Sequence, residues 1–227
     1  MSNCAGFVYI SFIKPTTLKH LFTFIILLLF ITSSFGQVKK EYYYDTDWKA
    51  ISRNEFYTKS NNALNIKRRV ENDTMIMGKL FTRRVYAKLA QDSLQMIYSY
   101  LSKIANKHID TSKIVVLNYY PDHKPQNPKE PTSMPFHESR YLRKLHEIAK
   151  GSQQFRVYKY DDKLTDKKEN WLIDETTLIE QTFFPYYFMY GSVVVIHPGG
   201  NYYVYYGEYG HDNVFEGLNE LIKRYGN

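Results

Sequence analysis

Asp122 and His123 stand side by side in Tyr120-Pro121-Asp122-His123, directly after the apolar run Ile114–Tyr120. A carboxylate beside an imidazole is a small unit that can hold and pass a proton near neutral pH, where histidine titrates in its ordinary state. His197 follows a second apolar run, Val193–Ile196. In open α/β sheets ligands gather at the carboxyl ends of strands. Asp122, His123 and His197, with Glu138 nearby, therefore make one constellation that can be drawn as an acid–base pair or a metal site. No His-Glu-x-x-His or comparable spacing supports it. His108, His123, His137, His146, His197 and His211 each suit a solvated loop better than a site.

Other candidate motifs are incomplete. Asp45 and Asp47 have the i,i+2 spacing of a calcium loop, but no glycine or terminal glutamate completes it. Gly199-Gly200 opens onto a strand, which makes it a hairpin turn; phosphate cradles open onto helices. There is no Gly-x-Ser-x-Gly for a hydrolase nucleophile. No metal and no cofactor is expected.

The 22 tyrosines fit plain β-propensity first and surface recognition second. They come in tandem at Tyr42-Tyr43-Tyr44, Tyr119-Tyr120, Tyr186-Tyr187, Tyr202-Tyr203 and Tyr205-Tyr206. Neighbours on a strand face opposite ways, so one of each pair belongs to a core and the other to a surface. An exposed tyrosine offers apolar area with a polar tip, which suits a protein partner or a sugar ring. Tyr120, Pro121, Tyr203 and Tyr205 are the binding candidates on this reading.

The C-terminal block positions several of these residues. Val193–Ile196 is an unbroken β-branched run, the pattern of a strand buried on both faces. Pro198-Gly199-Gly200-Asn201 supplies turn chemistry, and Tyr202–Tyr206 reads as the returning strand. Asp212 or Asn213, with Glu216, can open a helix whose apolar side holds Val214, Phe215, Leu218, Leu221, Ile222 and Tyr225. Upstream, Ser52 and Glu55 have capping-box spacing, and Leu64–Leu89 reads as a β-meander. A helix from Asp92 or Ser93 carries Leu94, Ile97, Tyr98 and Leu101. A proline-rich loop spans 121–135, and a helix over 136–150 ends at Gly151. Strands follow near Phe155–Tyr160 and Trp171–Ile173, and Asp174 can cap a short helix before Pro185. Alternating strands and helices imply an α/β sheet with parallel crossovers, closed by an antiparallel hairpin.

The N-terminus bears on compartment. Lys14 and Lys19 flank the apolar run Leu21–Ile31, and Ser34 and Gly36 are small residues at a cleavage position. These are the parts of an export signal, and the run is short for a spanning helix. Residues 1–36 are the expected signal, with a mature start at Gln37 in a periplasmic or secreted product. Contact with a membrane is expected only through this segment, if it is retained. Cys4 is the single cysteine and lies within it, so the mature chain has none. The net charge of +7 becomes +5 after cleavage. The charges are dispersed, and no zinc-finger, RNP-type or basic-helix pattern accompanies them, so nucleic acid is not expected.

This element order resembles the thioredoxin-like superfamily over residues 82–227. The carriers are Val193-Val194-Val195-Ile196-His197-Pro198-Gly199-Gly200 and the helix over Asp212–Tyr225. The resemblance implies a thioredoxin-like mixed sheet flanked by helices, with residues 37–81 as an N-terminal β-meander appendage. The family's Cys-x-x-Cys position reads Tyr120-Pro121-Asp122-His123 here, and Gly191-Ser192 replaces its cis-proline. The departure implies a redox-inactive member, since thiol–disulfide exchange needs a thiolate. The leading expectation is an exported, non-catalytic binding module. The alternatives are a metal- or ligand-dependent enzyme using Asp122, His123 and His197, and a membrane-anchored structural envelope protein.

Overall fold

The computed structural model describes residues 38–60, 62–121, 138–159, 171–188 and 190–226. The segment read as a signal, Asp122 and His123, and the rest of the proline-rich stretch lie outside these residues.

Three strands form a small sheet: β1 (Lys40–Tyr44), β2 (Asn65–Glu71) and β3 (Met75–Thr82). Their order is β1-β3-β2, with β1 parallel and β2 antiparallel to β3. Asn72 makes the β2–β3 turn by accepting the N–H groups of Thr74 and Met75 at 3.0 and 2.8 Å. Helix α1 (Arg53–Lys59) crosses one face of this sheet. The expected capping residue starts it, since Ser52 Oγ accepts the Glu55 N–H at 3.1 Å. Phe56 of α1 packs on Tyr43 and Leu80. Gly78 admits it: a Cβ there would stand 2.6 Å from the Tyr43 ring and 2.8 Å from Phe56.

The next strand corrects the meander reading. β4 (Arg84–Lys88) does not pair with β3; it turns away and pairs antiparallel with β9 (Asn201–Tyr205). The larger sheet adds β5 (Val115–Tyr120), β6 (Gln153–Tyr158), β7 (Trp171–Ile173) and β8 (Ser192–Ile196). Its order is β4-β9-β8-β5-β6-β7. β5, β6 and β7 run parallel, while β8 is antiparallel to both β5 and β9. The parallel unit and the closing hairpin are as the sequence implies, in a mixed α/β sheet flanked by helices.

Helices cover both faces of the larger sheet. On one face α2 (Gln91–Ala105) and α4 (Leu178–Phe183) bury Leu94, Ile97, Leu101, Ile179 and Phe183 against Val115, Leu117, Val194 and Val204. On the other, α3 (Glu138–Ile148) and α5 (His211–Tyr225) bury Tyr141, Leu145, Val214 and Leu218 against Val116, Val193, Val195 and Tyr203. All four β-branched residues of β8, from Val193 to Ile196, are fully buried, as a doubly covered strand requires.

The helix starts differ from the expected caps. α2 begins after Ala90 with no side-chain cap, and Asp92 sits in its first turn. α5 begins at His211, and Asn213 reaches back to accept the Gly210 N–H at 2.9 Å. Thr177 holds the N-cap position of α4, while the buried Asp174 reaches over it to accept the Glu180 N–H at 2.9 Å.

Gly217 sits where α5 crosses Tyr203, and a Cβ there would overlap the tyrosine ring. Gly217→Ala is predicted to destabilise the protein by about 3 kcal/mol, because the helix must lift off the sheet. Helix propensity alone predicts the opposite sign, a gain of about 1 kcal/mol. Denaturant unfolding separates the two, and Tyr203→Ala combined with Gly217→Ala should recover part of the loss.

Candidate functional site

His197 occupies the turn between β8 and β9. Its Nδ1 accepts the Gly199 N–H at 3.0 Å, and its Nε2 lies 3.2 Å from the Gly226 carbonyl. The Gly199 N–H makes Nδ1 the acceptor, so Nε2 is the nitrogen that donates, to the Gly226 carbonyl. Nδ1 thus braces the hairpin turn itself, and Nε2 ties the turn to the end of α5. The antiparallel register places Val115 opposite Ile196 and Tyr119 opposite Ser192. His197 therefore lies where β5 begins, and Tyr120 and Pro121 where it ends, about 17 Å along the strand at ~3.4 Å per residue. His197 and the Tyr120–Pro121 pair thus lie at opposite ends of β5, and Asp122 and His123 lie outside the described residues. Antiparallel strands put their carboxyl ends at opposite edges.

The carboxyl end of β5 is a polar, aromatic cluster. Asn118, buried, donates to Tyr209 Oη at 2.7 Å and accepts from Gln154 Nε2 at 2.6 Å. Tyr120 stacks on Tyr158 with ring centroids 5.0 Å apart. On the opposite face Tyr119 stacks on Phe184 at 4.7 Å. Tyr141 of α3 lies 4.8 Å from the His211 ring and 5.6 Å from Phe215. Gly191, at φ +82°, closes the end: a Cβ there would come 2.6 Å from the Tyr119 carbonyl. Burial raises the Tyr209 phenol well above its ordinary value, and burial lowers the His211 imidazole from 6.5. The Tyr209 hydroxyl serves here as a hydrogen-bonding group, and the other rings as packing groups.

The tyrosine candidates divide. Tyr120 is half-buried and Pro121 buried. Tyr203 and Tyr205 are core residues, at 0% and 5% exposure, and this corrects their reading as surface binding groups. Both point from β9 toward the face that α5 covers, and Tyr206 is buried on the other face, so the expected surface member is missing from the Tyr205-Tyr206 pair.

Exposed aromatics are spread over the molecule: Tyr86, Tyr186, Tyr187, Tyr190 and Tyr225 belong to the larger sheet's elements and loops, and Tyr42 and Trp48 lie on the small sheet. One face of that sheet carries α1; the other presents Lys40, Tyr42 and Tyr44 from β1, Met75, Met77 and Lys79 from β3, and Arg68 and Val70 from β2, by the strand register. Lys79 is buried, and its ammonium donates to the carbonyls of Asp45 and Thr46 at 2.5 and 2.7 Å. It lies 4.5 Å from the Trp48 ring centre. Burial lowers the Lys79 pKa, with Asp45 and Asp47 acting the other way. Asp45 Oδ1 is taken by the N–H groups of Asp47 and Lys49, both at 2.9 Å, so this pair shapes a turn over a resident ammonium. Among the described residues no three His, Cys, Asp or Glu side chains gather as a metal site. No described helix is long and apolar enough to cross a membrane. Sequence reading missed Trp48, Arg68 and Lys79. Their signal is the period-two pattern of three strands taken in register, which no single strand reveals.

No family model matches the chain, and no curated relative does. The exposed lipoprotein thioredoxin of Streptococcus pneumoniae is similar in structure at 17% identity, over 53% of this chain and 90% of that one. Its TM-score of 0.32 makes the likeness too loose to carry an inference.

Two predictions follow from the buried rings. His197→Ala should cost about 1–2 kcal/mol in chemical denaturation, since it removes one hydrogen bond within the turn and one from the turn to the end of α5; unchanged stability would contradict the fastening role. Buried phenols govern alkaline behaviour: burial raises Tyr98 and Tyr206 from 10.0 to about 12. A folded pKa above the unfolded one gives stability that is complete below pH 10.0 and lost as pH rises through about 12. Tyrosinate absorbance is expected to rise first for exposed rings, then in a cooperative step coincident with loss of circular dichroism. A single gradual rise with the fold intact would contradict this.

Proposed function

We propose that this protein is an exported, non-catalytic binding module, built on a thioredoxin-like scaffold that lacks redox sulfur. The observation that carries the reading is the division of side chains between the two sheets. The larger sheet commits its polar groups to structure: His197 to a turn, and Asn118 to Tyr209 and Gln154. The small sheet leaves exposed aromatic and cationic side chains on a face that α1 does not cover. The single cysteine at position 4 falls in the segment read as a signal, so the exported form has no thiolate for exchange chemistry. The described half of the enzyme alternative is weakened because His197 has neither ring nitrogen available for a substrate.

Subcellular fractionation with N-terminal sequencing tests export: the expected product is soluble and starts at Gln37. A panel of hydrolase and oxidoreductase substrates tests the absence of turnover. Turnover that His123→Ala or His197→Gln abolishes would overturn the binding reading.

A further inference from the structure

The open face of the small sheet is segregated in charge as well as in polarity. Glu41 and Glu71 point to the side that α1 covers, by the register that pairs them with Ile76. There they meet their cations: Lys39 and Arg69 on Glu71, at 2.7 and 2.8 Å, and Arg53 on Glu41 at 3.4 Å. The open side receives Lys40 and Arg68, both exposed, and no strand carboxylate. Neither cation has an ion-pair partner among the described residues. The acids nearest this face, Asp45 and Asp47, sit in the turn at its rim beside the Lys79 ammonium.

Apolar groups fill the space between the cations. Trp48 is 60% exposed, Tyr42 43%, Val70 49% and Met75 37%. Trp48 leans on Tyr44 with ring centres 5.7 Å apart, and the Lys79 ammonium lies over its ring. The turn holds Trp48 at φ +65°, a conformation that bulky residues seldom adopt. Tyr42 and Tyr44 stand on the same side of β1, about 7 Å apart at the usual strand rise. The result is a flat aromatic surface with cations at two of its edges.

This charge pattern selects the occupant. A second copy of the same face would set Lys40 and Arg68 against their equivalents. A neutral apolar partner would bury two unpaired cations, which is unfavourable. The fitting ligand is anionic and flat, with C–H surfaces that rest on rings and acidic groups that reach the rim. We propose that the face formed by Tyr42, Tyr44, Trp48, Lys40 and Arg68 binds an acidic polysaccharide, with sugar rings on the aromatics and carboxylates or sulfates on the two cations. The proposal deepens the binding reading given above and rests on it.

Polygalacturonate is the probe, titrated into the full-length chain by calorimetry, with dextran, poly-glutamate and anionic phospholipid vesicles in parallel. Binding of polygalacturonate, weakening with added salt, is expected. Trp48→Ala and Tyr42→Ala keep the charge and are each expected to weaken it about tenfold, which corresponds to ~1.4 kcal/mol. Arg68→Glu is expected to weaken it at least as much. Arg69→Glu makes the same charge change one residue along the same strand, on the opposite face, and should leave affinity within about twofold. Thermal melts confirm that each variant is folded; Tyr42→Ala, on an exposed strand position, is the reserve if Trp48→Ala is not. Equal losses in Arg68→Glu and Arg69→Glu would overturn the proposal, as would wild-type affinity in both aromatic variants. Absent binding to polygalacturonate, or equal or tighter binding to poly-glutamate, the vesicles or dextran, would also overturn it. These failures leave the broader binding reading standing, which only substrate turnover removes.

Discussion

Arg83 holds the two sheets together. It is the residue between β3, in the small sheet, and β4, in the large one. Its guanidinium donates to the carbonyls of Asn62 and Asn65 at 2.9 and 3.3 Å, before and within β2. It also donates to the carbonyls of Tyr206 and Glu208 at 3.2 and 3.3 Å, just beyond β9. Its backbone repeats the connection: Arg83 N–H donates to Leu64 and its carbonyl accepts from Tyr206, both at 2.8 Å. Among the described residues the charge meets no carboxylate; four carbonyl dipoles surround it, and the Tyr205 ring lies 5.7 Å away. A planar fork with five donors suits this arrangement, where a lysine's point charge does not. Gly207, at φ +77°, brings the β9 exit close enough, since a Cβ would strike Ile66.

Around that joint the aromatics act as cement. Phe81 of β3 packs on Tyr186 at 4.2 Å and on Phe188 at 6.2 Å, and both rings reach Tyr206 of the larger sheet's exit strand. Large flat side chains fill an interface between two elements that share no strand, and they add little conformational entropy to lose. The same economy explains the tyrosine content. Some tyrosines are core groups with a phenol tied inside the fold, such as Tyr206, whose hydroxyl donates to the Phe183 carbonyl at 3.2 Å. Others, on the small sheet, leave their faces to solvent. One residue type thus serves the scaffold and the surface, and the strand register decides which.

The sequence revealed elements whose signals are local. The hairpin from Val193 to Tyr205, the capped turn at Ser52 and the apolar sides of α2 and α5 follow from periodicity and turn residues alone. It concealed what long-range pairing decides. β4 has the composition of a meander strand, yet it leaves β3 because Arg83 and β9 offer it a second sheet. Tyr203 and Tyr205 looked exposed because a strand shows alternation but not which side a helix covers; Gly217, fourteen residues beyond Tyr203, settles that. His197 looked like a strand-end ligand until the antiparallel register put it at the far edge. Trp48 and Arg68 lie 20 residues apart in a chain that only the small sheet brings to one face.

Presentation of that face depends on Arg83. Native-state hydrogen exchange on Arg83→Met, compared with wild type, tests this most directly. Amides of β2 and β3 are expected to lose protection through a local opening, while those of β5 and β8 keep the protection of global unfolding. Equal loss in both sheets, or an unchanged small sheet, would contradict it.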